Sequence, residues 1–130
     1  MMDLPSQDHA FLQAGGFEYE IFDDSNVLCV QVSNLALPPG LSAPAADILF
    51  RFAPLYPDVP PDMWWVSPAL TTIQGTIIPA TELHETYRQR SWQRWSRHLP
   101  DGTWLAGIDG LQSYFALLQS ELRSAAGAAA

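Results

Sequence analysis

The sequence predicts an α+β fold: a four-stranded antiparallel meander, a short helix before it, and a C-terminal helix packed on the sheet. Three observations predict it. Four β-prone segments separated by turn chemistry follow one another between residues 17 and 66. Residues 109–124 carry apolar side chains at helical spacing. The stretch YPDVPPDMWW, residues 56–65, leaves the third segment through a proline turn and enters the fourth. Runs of strands flanked by helices are the pattern of an antiparallel sheet covered on one face.

Residues 5–14, PSQDHAFLQA, form the first helix, with Ser6 as its expected cap and Gly15-Gly16 as its stop. Residues 17–23 alternate Phe17, Tyr19 and Ile21 against Glu18, Glu20 and Phe22, which reads as a half-buried strand. Asp24-Ser25-Asn26 is turn chemistry, and 27–35, VLCVQVSNL, is the second strand of a hairpin. Residues 36–45 are a loop, 46–53 the third strand, and Met63–Val66 a short fourth strand stopped by Ser67-Pro68. Prolines fix φ and remove donors, so the turn sends the chain into the fourth strand in one register. There Trp64 and Trp65 point to opposite faces, one toward the core and one free to anchor the segment that follows. From 69 to about 104 the pattern is irregular, with a helical turn or two expected near 81–90. In the last helix Leu111, Tyr114, Phe115, Leu118 and Leu122 share a face, Asp109 lies near its start and Arg123 near its end. The tail from 124 to 130 has little to bury and is expected to be frayed.

The chain of 130 residues suits one domain spanning 1–130, and 48% hydrophobic residues supply a core. The formal net charge of −8 argues against nucleic acid, whose phosphates require Lys and Arg, and against an anionic membrane surface. Every basic side chain is Arg, and Arg88, Arg90, Arg94 and Arg97 form a local basic cluster. No signal peptide and no apolar stretch of transmembrane length is visible, so a cytoplasmic location is expected. The single cysteine, Cys29, forms no internal disulfide and builds no zinc cage; no metal or cofactor is expected.

The order strand, Tyr-Pro, Pro-Pro, aromatic strand resembles the ubiquitin-conjugating enzyme (UBC-like) superfamily, in which a four-strand meander is followed by a Tyr-Pro-x-x-Pro-Pro turn. Tyr56, Pro57, Pro60 and Pro61 match that spacing, and the resemblance covers roughly residues 5–124. The stretches SWQRWSRHLPDGTW and GIDGLQSYFALLQSEL add a resemblance to a bacterial branch of the superfamily. That branch implies a ubiquitin-like conjugation pathway, with activating-enzyme-like proteins, ubiquitin-like proteins and metal-dependent deubiquitinase-like peptidases as companions.

The resemblance also implies a thioester-forming cysteine after the fourth strand, preceded by His-Pro-Asn. Residues 67–104 contain neither. Cys29 lies within the second strand among Val27, Leu28, Val30 and Val32, where a thiol is a small core residue. The segment in the active-site position holds His84, His98, Asp101, Trp92, Arg94, Trp95, Arg97 and Trp104. Three readings stay open. The tryptophans plug the sheet while Arg94 and Arg97 cap carbonyls or pair with acids. Or Trp92, Arg94, Trp95, Arg97 and Trp104 form an exposed binding surface, since Trp and Arg make interface hot spots. Or His98, helped by His84 and Asp101, replaces the cysteine in acyl transfer or hydrolysis, although the histidines lack metal-ligand spacing. The functional expectation is a cysteine-less UBC-like binding or scaffolding module for a ubiquitin-like protein, an activating enzyme or both. The rivals are the His98 enzyme and an unrelated α+β binding domain of secretion-chaperone type.

Overall fold

The computed structural model describes residues 3–127. In chain order the elements are α1 (Ser6–Ala14), β1 (Glu18–Asp24), β2 (Val27–Ala36), β3 (Ala45–Phe52), β4 (Met63–Ser67), β5 (His84–Tyr87), β6 (Arg90–Ser96) and α2 (Leu111–Gly127). The strands form one antiparallel sheet of order β1-β2-β3-β4-β6-β5. The expected meander is β1 to β4. The sheet has six strands rather than four, because the segment read as irregular supplies a further hairpin. Its turn is Arg88-Gln89, both at positive φ (55° and 64°). That is the backbone of a tight two-residue hairpin turn, which Asn-Gly usually announces.

The helix ends also differ from expectation. Pro5 caps α1, and Ser6 is its first helical residue with no side-chain capping bond. Helix α2 starts at Leu111 and runs through Gly127, so residues 124–127 are helical rather than frayed; 128–130 lie outside the described residues. Ala126 falls four residues after Leu122 on the buried face, and alanine is the best helix former. Gly40 (φ 110°) lets the β2–β3 loop pass this helix end, since a Cβ there would lie 2.5 Å from the Ala126 carbonyl oxygen.

Pleating sorts the strand residues onto two unlike faces. One face carries Val30, Val32, Ile48, Phe50, Trp64, Val66 and Trp95, and packs with Leu12 of α1 and with Leu111, Tyr114, Phe115, Leu118 and Leu122 of α2. Trp64 stacks on Trp95 (5.9 Å) and meets Tyr114 edge-on (5.6 Å). Each such buried leucine holds α2 on the sheet by about 2–5 kcal/mol against truncation to alanine.

Among the described residues no helix covers the other face, yet Cys29, Leu49, Trp65 and Trp92 are buried there. Arginines lie over them. Arg51 sits 3.9 Å above the Tyr87 ring, Arg88 3.9 Å above Phe22 and Arg90 4.7 Å above Trp92. Acids from neighbouring strands neutralise them: Asp24 pairs with Arg51, Glu20 with Arg88, Asp47 with Arg90 and Glu85 with Arg94. The basic cluster of the sequence is therefore an interleaved set of ion pairs and cation–π contacts, not an open cationic surface.

Candidate functional site

The proline turn is built around Tyr56. Its ring stacks on Phe52 (4.3 Å), and its hydroxyl donates to Oδ2 of Asp8, which is only 1% exposed. The other Asp8 oxygen accepts the Leu111 N–H at 3.0 Å and so caps the start of α2. Burial first, and then the Asp8 bond, pushes the Tyr56 hydroxyl well above the usual phenol range. Pro57 and Pro61 are at least partly buried and Pro60 is exposed. Trp104 closes the turn from outside, its indole N–H donating to the Pro57 carbonyl at 2.8 Å. The loop between β6 and α2 is thereby fastened to the turn. Trp104, expected to anchor a partner, anchors this loop and is half-buried.

After β4 the chain runs through residues 68–83 before β5, ahead of the segment from His84 to Trp104 that the resemblance puts in the active-site position. Gln93 holds the start of the 68–83 segment. This side chain is 5% exposed; its Oε1 accepts the Leu70 N–H (2.8 Å) and the Trp95 indole N–H (2.9 Å), and its Nε2 donates to the Leu70 carbonyl (3.0 Å). Sequence reasoning missed Gln93; its only signal was its place between two tryptophans in a period-two segment. Downstream, Ile73, Ile77 and Leu83 are all more than half exposed. At Ile77 opens a pocket of about 310 Å³ lined also by Leu70, Thr81, Glu82, His84 and Gln93.

Trp92 and Trp95 are not surface residues: they are 1% and 0% exposed, on opposite faces of β6. The expectation of exposed tryptophans is corrected, because a strand at this position turns both rings into packed layers. Arg97 is equally engaged. Its guanidinium donates to Glu121 of α2, to the Ser96 carbonyl (2.8 Å) and to the Pro79 carbonyl (3.0 Å), and it lies over Trp95. Arg94 faces Glu85 at 3.9 Å, and Glu85 also accepts the Trp65 indole N–H at 2.7 Å. Trp65 thus anchors the following segment, as its place in β4 predicted.

The three residues considered for catalysis are not assembled. His84 pairs with Gln93 in the hairpin register, and its ring lies 3.2 Å from the Glu82 carbonyl. His98 lies beyond the end of β6 and is exposed, as is Asp101. Among the described residues no hydrogen bond or ion pair joins His84, His98 and Asp101, and no group of ligating side chains could hold a metal ion. Nor does the thiol offer itself. Cys29 is 0% exposed in the middle of β2, donates to the Val27 carbonyl (3.4 Å) and lies 3.6 Å from Arg51. Burial pushes its pKa up to about 11, the opposite of what a nucleophilic cysteine requires.

Two flanking helices, an antiparallel meander and a Tyr-Pro-x-x-Pro-Pro turn entering β4 are consistent with a UBC-like architecture, here with an added hairpin. The family model described as prokaryotic E2 family E matches residues 4–125, and the chain belongs to that family. Membership points to a bacterial ubiquitin-like conjugation pathway and, in general terms, to a ubiquitin-like modifier or an activating enzyme as partner. Comparisons with curated proteins and with solved structures gave no match. Among the described residues no helix is long and apolar enough to cross a membrane.

Proposed function

We propose that this E2-like protein binds the modifier or the activating enzyme of its pathway without carrying the modifier as a thioester. The observation that carries the reading is the position of its one cysteine, sealed inside β2 under Arg51 and absent from the segment after β4. The binding surface is the segment between β4 and β5. Its Ile73, Ile77 and Leu83 are exposed, and Ile77 lines the pocket at His84; exposed apolar groups on one segment are characteristic of interaction sites. Trp92, Arg94, Trp95 and Arg97 serve this surface from below, by fixing β6 and the start of the segment. The proximity of His84 to the pocket does not make it a base, since among the described residues its ring meets the Glu82 carbonyl and no carboxylate.

The test is a binding titration with the ubiquitin-like protein and the activating enzyme of the same organism, run beside a conjugation assay with ATP. Complex formation without any thiol-labile adduct is expected, unchanged by Cys29→Ala and by His98→Ala. Ile77→Asp and Leu83→Asp should each weaken binding about tenfold or more while the protein stays folded, as hot-spot losses do. A thiol-labile adduct that disappears with Cys29→Ala makes the protein a carrier after all. Turnover that disappears with His98→Ala while binding persists establishes the histidine enzyme instead.

A further inference from the structure

We propose that the tip of the β5–β6 hairpin is a strap, closed by Arg88 over the helix-free face of the sheet and able to release it. Pairing between β4 and β6 stops at Val66↔Gln93. The hairpin continues past that point through Glu85↔Trp92, Thr86↔Ser91 and Tyr87↔Arg90. Its tip therefore has no strand beside it and curls back across the face as far as β1, the opposite edge of the sheet. There Arg88 donates both guanidinium arms to Glu20, at 3.0 and 3.1 Å, and stacks over Phe22, while Arg51 of β3 lies over Tyr87.

Side chains alone make this closure. Among the described residues no backbone hydrogen bond joins 87–90 to β1 or β3. Behind the two-residue turn the hold is firmer: Arg90, paired with Tyr87, bonds Asp47 and Ser67, the Tyr87 ring meets Trp65 edge-on at 5.6 Å, and Glu85 bonds Trp65. The outer contact is different in kind. Arg88 and Glu20 are 39% and 57% exposed, so salt screens their attraction. A turn whose backbone pairs only within its own hairpin, and whose outer ion pair is exposed, opens at lower free energy than the whole fold. Beneath it lie Phe22 and Cys29, neighbours in the β1–β2 register, then Leu49 and Trp65. Opening the strap uncovers an apolar strip that no helix covers, and Cys29 reports it.

The experiment follows labelling of Cys29 by a small aromatic disulfide reagent at low and high salt, on wild type, Arg88→Ala, Glu20→Gln and Leu118→Ala, with a denaturant midpoint measured for each. At low salt Arg88→Ala should label about tenfold faster than wild type and Glu20→Gln about two- to fivefold faster, with midpoints close to wild type. Salt should accelerate the wild type and narrow the gap. Leu118→Ala, on the helix-covered face, should lower the midpoint and leave labelling within about twofold of wild type. Labelling that follows the midpoint through all the variants, or that ignores Arg88, overturns the proposal. If Leu118→Ala fails to fold, the denaturant dependence of wild-type labelling decides: a shallow slope is expected, and a slope equal to that of global unfolding overturns the strap.

Discussion

Asp8 lies inside a nine-residue helix, yet its carboxylate joins three parts of the chain: α1, the proline turn through Tyr56, and the first N–H of α2 at Leu111. Gly110 makes that approach possible, because a Cβ there would lie 2.6 Å from Asp8 Oδ1. Asp8→Ala leaves the Tyr56 hydroxyl and the Leu111 N–H without these partners. It should lower stability by about 2–4 kcal/mol, the sum of a lost cap and a buried unpaired donor, while Tyr56→Phe costs about 1–3 kcal/mol. Urea unfolding of the two single variants and the double variant checks this; additive losses would mean that the pair is not coupled. Tyr56 was legible in the sequence because the motif around it is local. Asp8 was not, because its partners lie 48 and 103 residues away and a carboxylate on a weakly amphipathic helix looks like a solvated one. Trp92 and Trp95 were misjudged for a related reason. Three residues apart, they face opposite ways only if the segment is a strand.

At the scale of elements, the meander and α2 were legible because their apolar side chains repeat at period two or along one helical face. The β5–β6 hairpin was hidden by its chemistry. Its inward positions on the helix-free side include Glu85, Arg90 and Arg94, which form ion pairs with Arg94, Asp47 and Glu85 respectively instead of reading as apolar. Its turn uses Arg88 and Gln89 where Gly or Asn is the usual choice. Arg88 is retained there by its contacts with Glu20 and Phe22, whereas the Gln89 side chain is exposed. Gln89→Gly should therefore raise stability by roughly 0.5–1 kcal/mol, since relief of the left-handed backbone exceeds the entropy that glycine adds to the unfolded chain. An unchanged or lowered denaturant midpoint would show that the turn is not strained at this position.

Over the whole molecule, one sheet serves two covering layers of different chemistry: helices on one side, and a lattice of guanidinium groups, aromatic rings and carboxylates on the other. The exclusive use of arginine fits the second layer, because a planar guanidinium can stack on a ring and pair with an acid at once, which a lysine ammonium does less well. Titration can probe the two layers together, since each contains acids held in their neutral form. Burial raises Tyr56 and Tyr114 far above the ordinary phenol value of 10.0, Asp8 adding to the shift at Tyr56 and Asp62 at Tyr114. Cys29 is raised to about 11 in the other layer. A group whose folded pKa exceeds its unfolded value contributes stability that is complete below the unfolded pKa and declines as pH rises toward the folded one. Above pH 10 each pH unit should therefore remove about 1.4 kcal/mol through Tyr114, and somewhat less through the half-buried Tyr56. Tyrosinate absorbance and helical circular dichroism, followed through an alkaline titration, should show Tyr56 and Tyr114 ionising in one step that coincides with loss of the fold. Tyr56→Phe and Tyr114→Phe should each shrink that step. Ionisation of all four tyrosines near pH 10 with the circular dichroism intact would mean that neither hydroxyl is held inside the packing between α2, the proline turn and the sheet.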